Sequence, residues 1–577
     1  MDYQKNYEQW LENPYFDEAT KAELKGISED VNEIKERFYA DLEFGTAGLR
    51  GIIGAGTNRM NVYTVRKATQ GLADYIALLH KKSQGVAIAY DSRHMSPEFA
   101  QEAALCLAAN GIKAFIFETL RPTPELSYAV RTLGCIAGIN ITASHNPPEY
   151  NGYKVYWEDG AQITPPHDAG IMNEVKKITD LSTVKTMSKE AAMAAGLYEV
   201  IGQAIDDSYM EALKSQVIHW EAIKQERDNL KIVYSPLHGT GNIPVRRVLS
   251  ELGFAQVYVV KEQELPDGNF PTVGYPNPEA EEAFTLGLAL AKEVDADLVL
   301  ATDPDADRLG VYVKDTKSGE YITLTGNMSG CLLADYEIGQ RKAIAGLPED
   351  GALISTIVTS NMAAAIAKSY GIKFIEVLTG FKFIGQQILG FEQSGKGSYL
   401  FGFEESYGCL IGTHARDKDA IVATMALCEA AAYYKTQGKT LWDAMIDIYE
   451  KYGYYKDDIK SITLKGIEGL AKIQEILNTL RNNPPAKIGS YTVCSARDYQ
   501  KKQVQNMETG AVSDTGLPSS NVLYYDLTED AWLCVRPSGT EPKVKFYYGV
   551  KGTSLEDADR KSEALGKQVL DMINEML

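Results

Sequence analysis

Cysteine is scarce and unpatterned: seven residues in 577, at positions 106, 135, 331, 409, 428, 494 and 534, with no CxxC pair and an odd total. That excludes a disulfide framework and a cysteine-built zinc site, and predicts buried small apolar residues in a reducing compartment. No stretch reaches about 18 uninterrupted apolar residues, so no segment reads as a membrane-spanning helix. The opening segment, MDYQKNYEQWLENPYF, lacks the basic start and apolar run of a secretory signal. The expected location is the cytoplasm. Positive charge is also short, with 58 Lys and Arg against 78 Asp and Glu, a net charge of -20. Nucleic acid and anionic membranes, which attract basic surfaces, are excluded as principal partners. An anionic ligand would require the basic residues to gather at its site. Nothing in the sequence specifies an oligomeric state.

Several familiar fingerprints are missing too. The glycine-rich stretch 45–56 contains no GxGxxG. Residues 390–397, GFEQSGKG, nearly spell a phosphate-binding P-loop, but Gly397 stands where the closing Ser or Thr belongs. Ser144 has no GxSxG elbow around it.

What is present is an ordinary globular composition, 45% hydrophobic and 24% charged, in a chain long enough for about four domains. Strand-like apolar runs alternate with helical stretches, which predicts α/β domains with mixed, mostly parallel sheets and a smaller α+β domain at the end. Residues 1–40 read as a helical extension. Domains are expected at 41–204, 205–321, 322–445 and 446–577. Each carries a polar loop at the carboxyl end of an apolar strand, where open α/β sheets bind ligands, so the four loops are expected to line one cleft.

In the first loop, Thr142-Ala143-Ser144-His145-Asn146-Pro147 puts a hydroxyl beside an imidazole, and Asn151-Gly152-Tyr153-Lys154 returns a lysine toward it. Upstream, GTAGLRG (45–51) offers glycine-freed backbone and Arg50 as a bidentate phosphate clamp. In the second, Asp303, Asp305 and Asp307 alternate with Pro304 and Ala306. An extended segment would project all three carboxylates to one side, where they repel unless a cation sits between them. Oxygen-only ligands in a small set suit Mg²⁺. An EF-hand is excluded, because its sixth and twelfth positions hold Arg308 and Lys314. The third loop, Gly402-Phe403-Glu404-Glu405-Ser406, supplies groups that hydrogen-bond sugar hydroxyls. Thr379-Gly380-Phe381-Lys382 precedes it, and His414-Ala415-Arg416-Asp417-Lys418-Asp419 follows. The fourth, Arg536-Pro537-Ser538-Gly539-Thr540 with Lys543 and Lys545, reads as a pocket for a dianionic phosphate.

The hexapeptide TASHNP resembles the active-site loop of the α-D-phosphohexomutase superfamily, and the other three loops follow in that family's order. The resemblance runs from about residue 40 onward. The chain length and the GTAGLRG and GFEES forms are similar to the long phosphoglucomutase-2-like subfamily, which includes phosphopentomutase and sugar-bisphosphate synthase activities. It implies that Ser144 is carried as phosphoserine, and that its phosphate joins Asp303, Asp305 and Asp307 around Mg²⁺. It implies that Glu404 and Ser406 touch the sugar, with Arg308, Thr379, Gly380 and Lys382 also on the substrate. Arg536, Ser538, Gly539, Thr540 and Lys545 would hold the phosphate that is not being transferred.

The implied activity interconverts glucose 1-phosphate and glucose 6-phosphate by way of glucose 1,6-bisphosphate. A pentose phosphate substrate or a bisphosphate synthase activity is the alternative within the superfamily; a phosphatase or a non-catalytic phosphosugar binder stands further off. Lys418, Lys154 and His145 are all candidates for the general base.

Overall fold

Short runs of consecutive apolar residues bounded by turn formers become central strands, buried on both faces. The computed structural model describes residues 2–42, 48–464, 466–538 and 543–577. Two compact units emerge. One comprises Met1–Thr323, Gly385–Ser394 and Tyr407–Gly438; the other comprises Leu324–Ile384, Gly395–Ser406 and Lys439–Leu577.

The first unit begins with three helices, Tyr3–Glu12, Glu18–Gly26 and Val31–Phe38, each started by an aspartate (Asp2, Asp17, Asp30) whose side chain accepts a first-turn N–H. Their apolar faces make an aromatic cluster in which Trp10 stacks on Phe16 at 4.2 Å and meets Phe38 and Tyr63 edge-on. The helical extension expected at residues 1–40 thus forms a small core that also takes in Ala55 and Tyr63.

Next comes a sheet in the order β1-β5-β4-β2-β3-β6, from β1 (Leu49–Ile52), β2 (Val86–Tyr90), β3 (Ala114–Phe117), β4 (Ala137–Ile141), β5 (Tyr150–Trp157) and β6 (Tyr198–Ile201). Strands β4, β2, β3 and β6 run parallel. β2 and β4, VAIAY and AGINI, are buried at every position, the mark of a sheet covered on both faces. β5 returns antiparallel on β4 with Asn140 opposite Lys154, and β1 adds antiparallel to β5. A second sheet, in the order β11-β10-β9-β7-β8, uses β7 (Lys231–Ser235), β8 (Gln256–Val259), β9 (Leu298–Thr302), β10 (Leu309–Lys314) and β11 (Tyr321–Leu324). Here β9, β7 and β8 are parallel, and β10 folds back antiparallel on β9.

In the second unit, Gly351–Thr356 pairs in parallel with Lys373–Val377 and with Ser398–Glu404. The last domain is antiparallel, with Trp532–Pro537 central between Leu523–Leu527 and Lys543–Gly552. The helices Gly466–Asn482 and Leu555–Asn574 cover that sheet, burying Ile476, Leu477, Leu565 and Val569 against Leu533, Val535, Val544 and Phe546. Three α/β domains with mixed sheets and a β-rich fourth are the architecture. Among the described residues, no helix is long and apolar enough to cross a membrane.

Candidate active site

In the first unit, two strand ends meet. β4 runs out into Thr142–Pro147, and β9 runs into Asp303–Arg308. Ser144 adopts a left-handed backbone, φ 53°, which few residues other than glycine take up without support. The support is a buried arginine that sequence reasoning did not single out. Arg93 donates to the carbonyl oxygens of Ser144 (2.6 Å), Asn146, Pro147 (2.7 Å) and Tyr150 (3.1 Å). It is paired with Asp91 at 3.4 Å and lies over the Phe270 ring. The Ser144 N–H donates to Thr142 Oγ1 at 2.8 Å. A charged residue three places after an apolar strand is common in loops, so Arg93 carries little signal on its own. Only the fold reveals that its five donors meet four carbonyls.

Ser144 Oγ lies 2.8 Å from Asp303 Oδ2 and 3.1 Å from His145 Nδ1. The position-144 hydroxyl and the aspartate loop therefore share one place. The aspartates do not reach it by strand alternation, as the i, i+2, i+4 reading expected. Residues 303–307 form a turn with Ala306 at φ 50°, and Asp303 Oδ1 accepts the N–H groups of Asp307 and Arg308, both at 3.1 Å. The side chain folds the backbone back on itself, which is the ordinary habit of aspartate in turns.

Asp303, Asp305 and Asp307 are all buried, with oxygens within 4.8 Å of one another. At an effective dielectric near 20, two carboxylates at that spacing repel by about 3 kcal/mol. Burial, then Asp305 and Asp307, push the Asp303 carboxyl well above its usual range. Burial alone would also raise Asp305, but Lys154, the hydrogen bond from Asp303 and that from Thr123 bring it below. The buried Oδ1 atoms of Asp305 and Asp307 accept no hydrogen bond among the described residues. Three converging carboxylates with oxygens to spare fit a hard divalent cation.

Basic side chains surround this anionic site. Lys154 Nζ is 2.8 Å from Asp305 Oδ2 and 4.0 Å from Asp307 Oδ2. Lys418 Nζ is 3.1 Å from Asp307 Oδ2 and 3.4 Å from Asp417 Oδ1, while Asp417 accepts the Tyr156 hydroxyl at 2.9 Å. The Lys418 chain lies across residue 408, where any Cβ would stand 2.0 Å from its Cδ, so only glycine fits there. Arg50 donates to Asn146 Oδ1 at 3.4 Å. It sits on β1 just after Gly48, whose φ of 96° and closeness to Tyr153 admit no side chain. Residues 45–47 of the GTAGLRG loop lie outside the described residues. Arg308 pairs with Glu279 and approaches Asp307 Oδ1 at 3.8 Å. His145 is held well below its usual pKa by burial and by Arg308 and Arg50, so its imidazole is neutral near pH 7.

The second unit holds the remaining predicted residues. Glu404 ends a strand rather than lying in a loop, and its Oε1 accepts the Gly380 N–H at 3.0 Å. Gly380 has φ 120°, and Thr379 Oγ1 is buried without a hydrogen-bond partner among the described residues. Lys382 Nζ lies 5.4 Å from the centre of the Phe383 ring. Ser406 follows two residues after Glu404. Arg536 and Lys545 are directly opposed in the hairpin register, and Ser538 N–H donates to Lys543 carbonyl at 2.7 Å. That pairing sets two cations side by side on the face opposite buried Val535, Val544 and Phe546. Gly539 and Thr540 lie outside the described residues.

Glu405, which the sequence reading gave no role of its own, has its carboxyl raised to about 7 by burial and then by Glu404. An acid raised in the folded state costs stability as pH climbs from its unfolded value to the folded one. Glu405→Gln should therefore melt like the wild type near pH 4 and hold about 3 kcal/mol more stability at pH 8. Thermal unfolding of both proteins across pH 4–8 checks this; parallel curves would show that no such penalty exists.

Comparison with known proteins adds to the geometry. Residues 41–182, 207–319 and 325–452 match, in turn, the α/β/α domains I, II and III of the phosphoglucomutase/phosphomannomutase family. The chain is 36% identical to phosphoglucomutase of Staphylococcus aureus strain MSSA476 over 561 residues, which is 97% of this chain and 98% of that one. The strain MRSA252 protein is also 36% identical, over 550 residues. The crystal structure of pp63/parafusin from Paramecium, in an open form, superposes with a TM-score of 0.66 at 18% identity, covering 92% of this chain and 95% of that one. A phosphoglucomutase/phosphomannomutase family protein from Burkholderia thailandensis gives 0.62 at 19% identity, with 91% and 96% covered.

Proposed function

The chain belongs to the phosphoglucomutase/phosphomannomutase family of α-D-phosphohexomutases, and from that premise we propose that it interconverts glucose 1-phosphate and glucose 6-phosphate through phosphorylated Ser144. The enzyme class, an intramolecular phosphotransferase, comes with the family. The observation that carries the reading is the 2.8 Å contact between Ser144 Oγ and Asp303 Oδ2, inside a group of three buried aspartates.

Phosphoserine 144 gives its phosphoryl group to a free hydroxyl of the sugar monophosphate. The serine O–P bond breaks, the sugar O–P bond forms, and the hydroxyl proton passes to a base. Lys154 and Lys418, which flank the aspartates, and neutral His145, beside Ser144 Oγ, are the groups within reach. The resulting glucose 1,6-bisphosphate turns over and returns its other phosphoryl group to Ser144, so the base hands the proton back. A divalent cation held by Asp303, Asp305 and Asp307, with Mg²⁺ favoured by the all-oxygen donors, would withdraw charge from the transferring phosphoryl group. Arg50 and Arg308 offset the remaining negative charge. Glu404 and Ser406, with Thr379, Gly380 and Lys382, recognise the sugar. Arg536, Ser538 and Lys545, with Gly539 and Thr540, hold the phosphate that stays in place. Its ligand is a small phosphosugar, which agrees with basic residues gathered at the site of an acidic protein.

The test is a coupled assay on glucose 1-phosphate and ribose 1-phosphate, each with and without catalytic glucose 1,6-bisphosphate. Faster turnover of glucose 1-phosphate, stimulated by the bisphosphate, is expected. Faster turnover of the pentose would overturn the substrate, and steady release of inorganic phosphate would overturn the mutase reading.

A further inference from the structure

We propose that Thr123 and Asn140 are positioning residues that fix Asp305 as a one-oxygen ligand for the cation. This rests on reading the three aspartates as a cation site. Thr123 opens the helix Thr123–Thr132 and is fully buried, as is Asn140 near the end of β4. Thr123 grips Asp305 twice: its N–H donates to the Asp305 carbonyl oxygen at 2.9 Å, and its hydroxyl donates to Oδ2 at 2.8 Å.

A hydroxyl has one hydrogen and can donate it in only one direction. Asn140 settles that direction, because its Nδ2 donates to Thr123 Oγ1 at 2.7 Å. With a lone pair engaged by Asn140, the hydroxyl hydrogen is left for the carboxylate. The opposite amide orientation would demand that hydrogen for Asn140 and leave two oxygen lone pairs facing each other, so the charge on Asp305 selects the arrangement.

The strand register then adds a second donor. Lys154 sits opposite Asn140 across the β4–β5 pair, and its Nζ reaches the same Asp305 Oδ2 at 2.8 Å. Thr123 and Lys154 therefore both donate to Oδ2, while buried Oδ1 accepts no hydrogen bond among the described residues. The division of labour is clear. Oδ2 is tied to the first domain's sheet and helix, and Oδ1 is presented to the cation. Outer partners of this kind commonly control ligand affinity about 10- to 100-fold.

The experiment measures Mn²⁺ binding to the full, unphosphorylated chain by electron paramagnetic resonance, without substrate. Thr123→Val, which keeps the shape and removes the hydroxyl, should weaken Mn²⁺ binding about 10- to 100-fold. Thr123→Ser, which restores the donor to the carboxylate, should return to within about threefold of wild type. Asn140→Leu keeps Thr123 but frees its hydroxyl to turn, and should cost about fivefold; it serves if the valine variant does not fold. Unchanged binding in a folded Thr123→Val or Asn140→Leu protein overturns the proposal alone. A wild-type chain that binds no Mn²⁺ overturns the cation reading, and this proposal with it.

Discussion

Ser144→Ala protein incubated with glucose 1,6-bisphosphate is expected to gain no phosphate by intact mass, and its mutase turnover should fall by about 10⁴-fold or more, the scale on which removal of a covalent nucleophile acts. Wild-type protein should gain one. The substitution is a clean test because the backbone conformation at 144 does not depend on the hydroxyl. Arg93 holds that turn through four carbonyl groups and Thr142 through the Ser144 N–H, and alanine leaves all of them in place. Alanine and serine also meet the same steric penalty at φ 53°. What alanine removes is the Oγ atom itself, with its hydrogen bonds to Asp303 and His145. A folded alanine variant that still becomes phosphorylated would place the acceptor elsewhere and remove the basis of the mechanism.

The parts of the site that sequence could reach are those where residue chemistry is unusual for its setting. Three aspartates immediately after a buried strand demand an explanation wherever they fall, and so does a serine in a Pro-fixed turn after another such strand. The strands at 86–90, 137–141, 231–235 and 298–302 were legible because burial at nearly every position makes them short, mostly apolar runs. What was not legible was how the loops are shaped. The aspartate loop closes on itself through side-chain-to-backbone hydrogen bonds rather than running extended, which residue spacing does not report. Arg93 and Thr123 act on backbone and carboxylate groups distant in sequence, so neither has a local signature. Asn140 did carry one: a lone amide inside the apolar run AGINI is costly to bury unless it is hydrogen-bonded, and its Nδ2 finds Thr123 Oγ1. Glu405 is the reverse case, since its raised carboxyl comes from desolvation and the neighbouring Glu404 rather than from any local pattern.

The second large effect expected is a trade between stability and activity at position 303. Asp303→Asn should lower turnover by about 10³-fold or more, as loss of one preorganised charge at a phosphoryl site does. It should also abolish the rise in melting temperature on adding Mg²⁺. Yet in chelator at pH 8 the variant should melt no lower than the wild type. The reason is the repulsion already described: without a cation, burial and its two neighbours hold the Asp303 carboxyl far above its usual range, so folding carries a penalty that grows as pH rises above the unfolded value near 3.8. Asparagine has no charge to bury. Its amide oxygen can still accept the Asp307 and Arg308 N–H groups that shape the turn, and its NH₂ can donate to Ser144 Oγ. Thermal unfolding of both proteins in chelator and in Mg²⁺, at pH 5 and pH 8, checks the sign. A variant that melts well below wild type in chelator at pH 8 would mean that the three carboxylates are not held against their own repulsion, and the case for a cation among them would lose its physical footing.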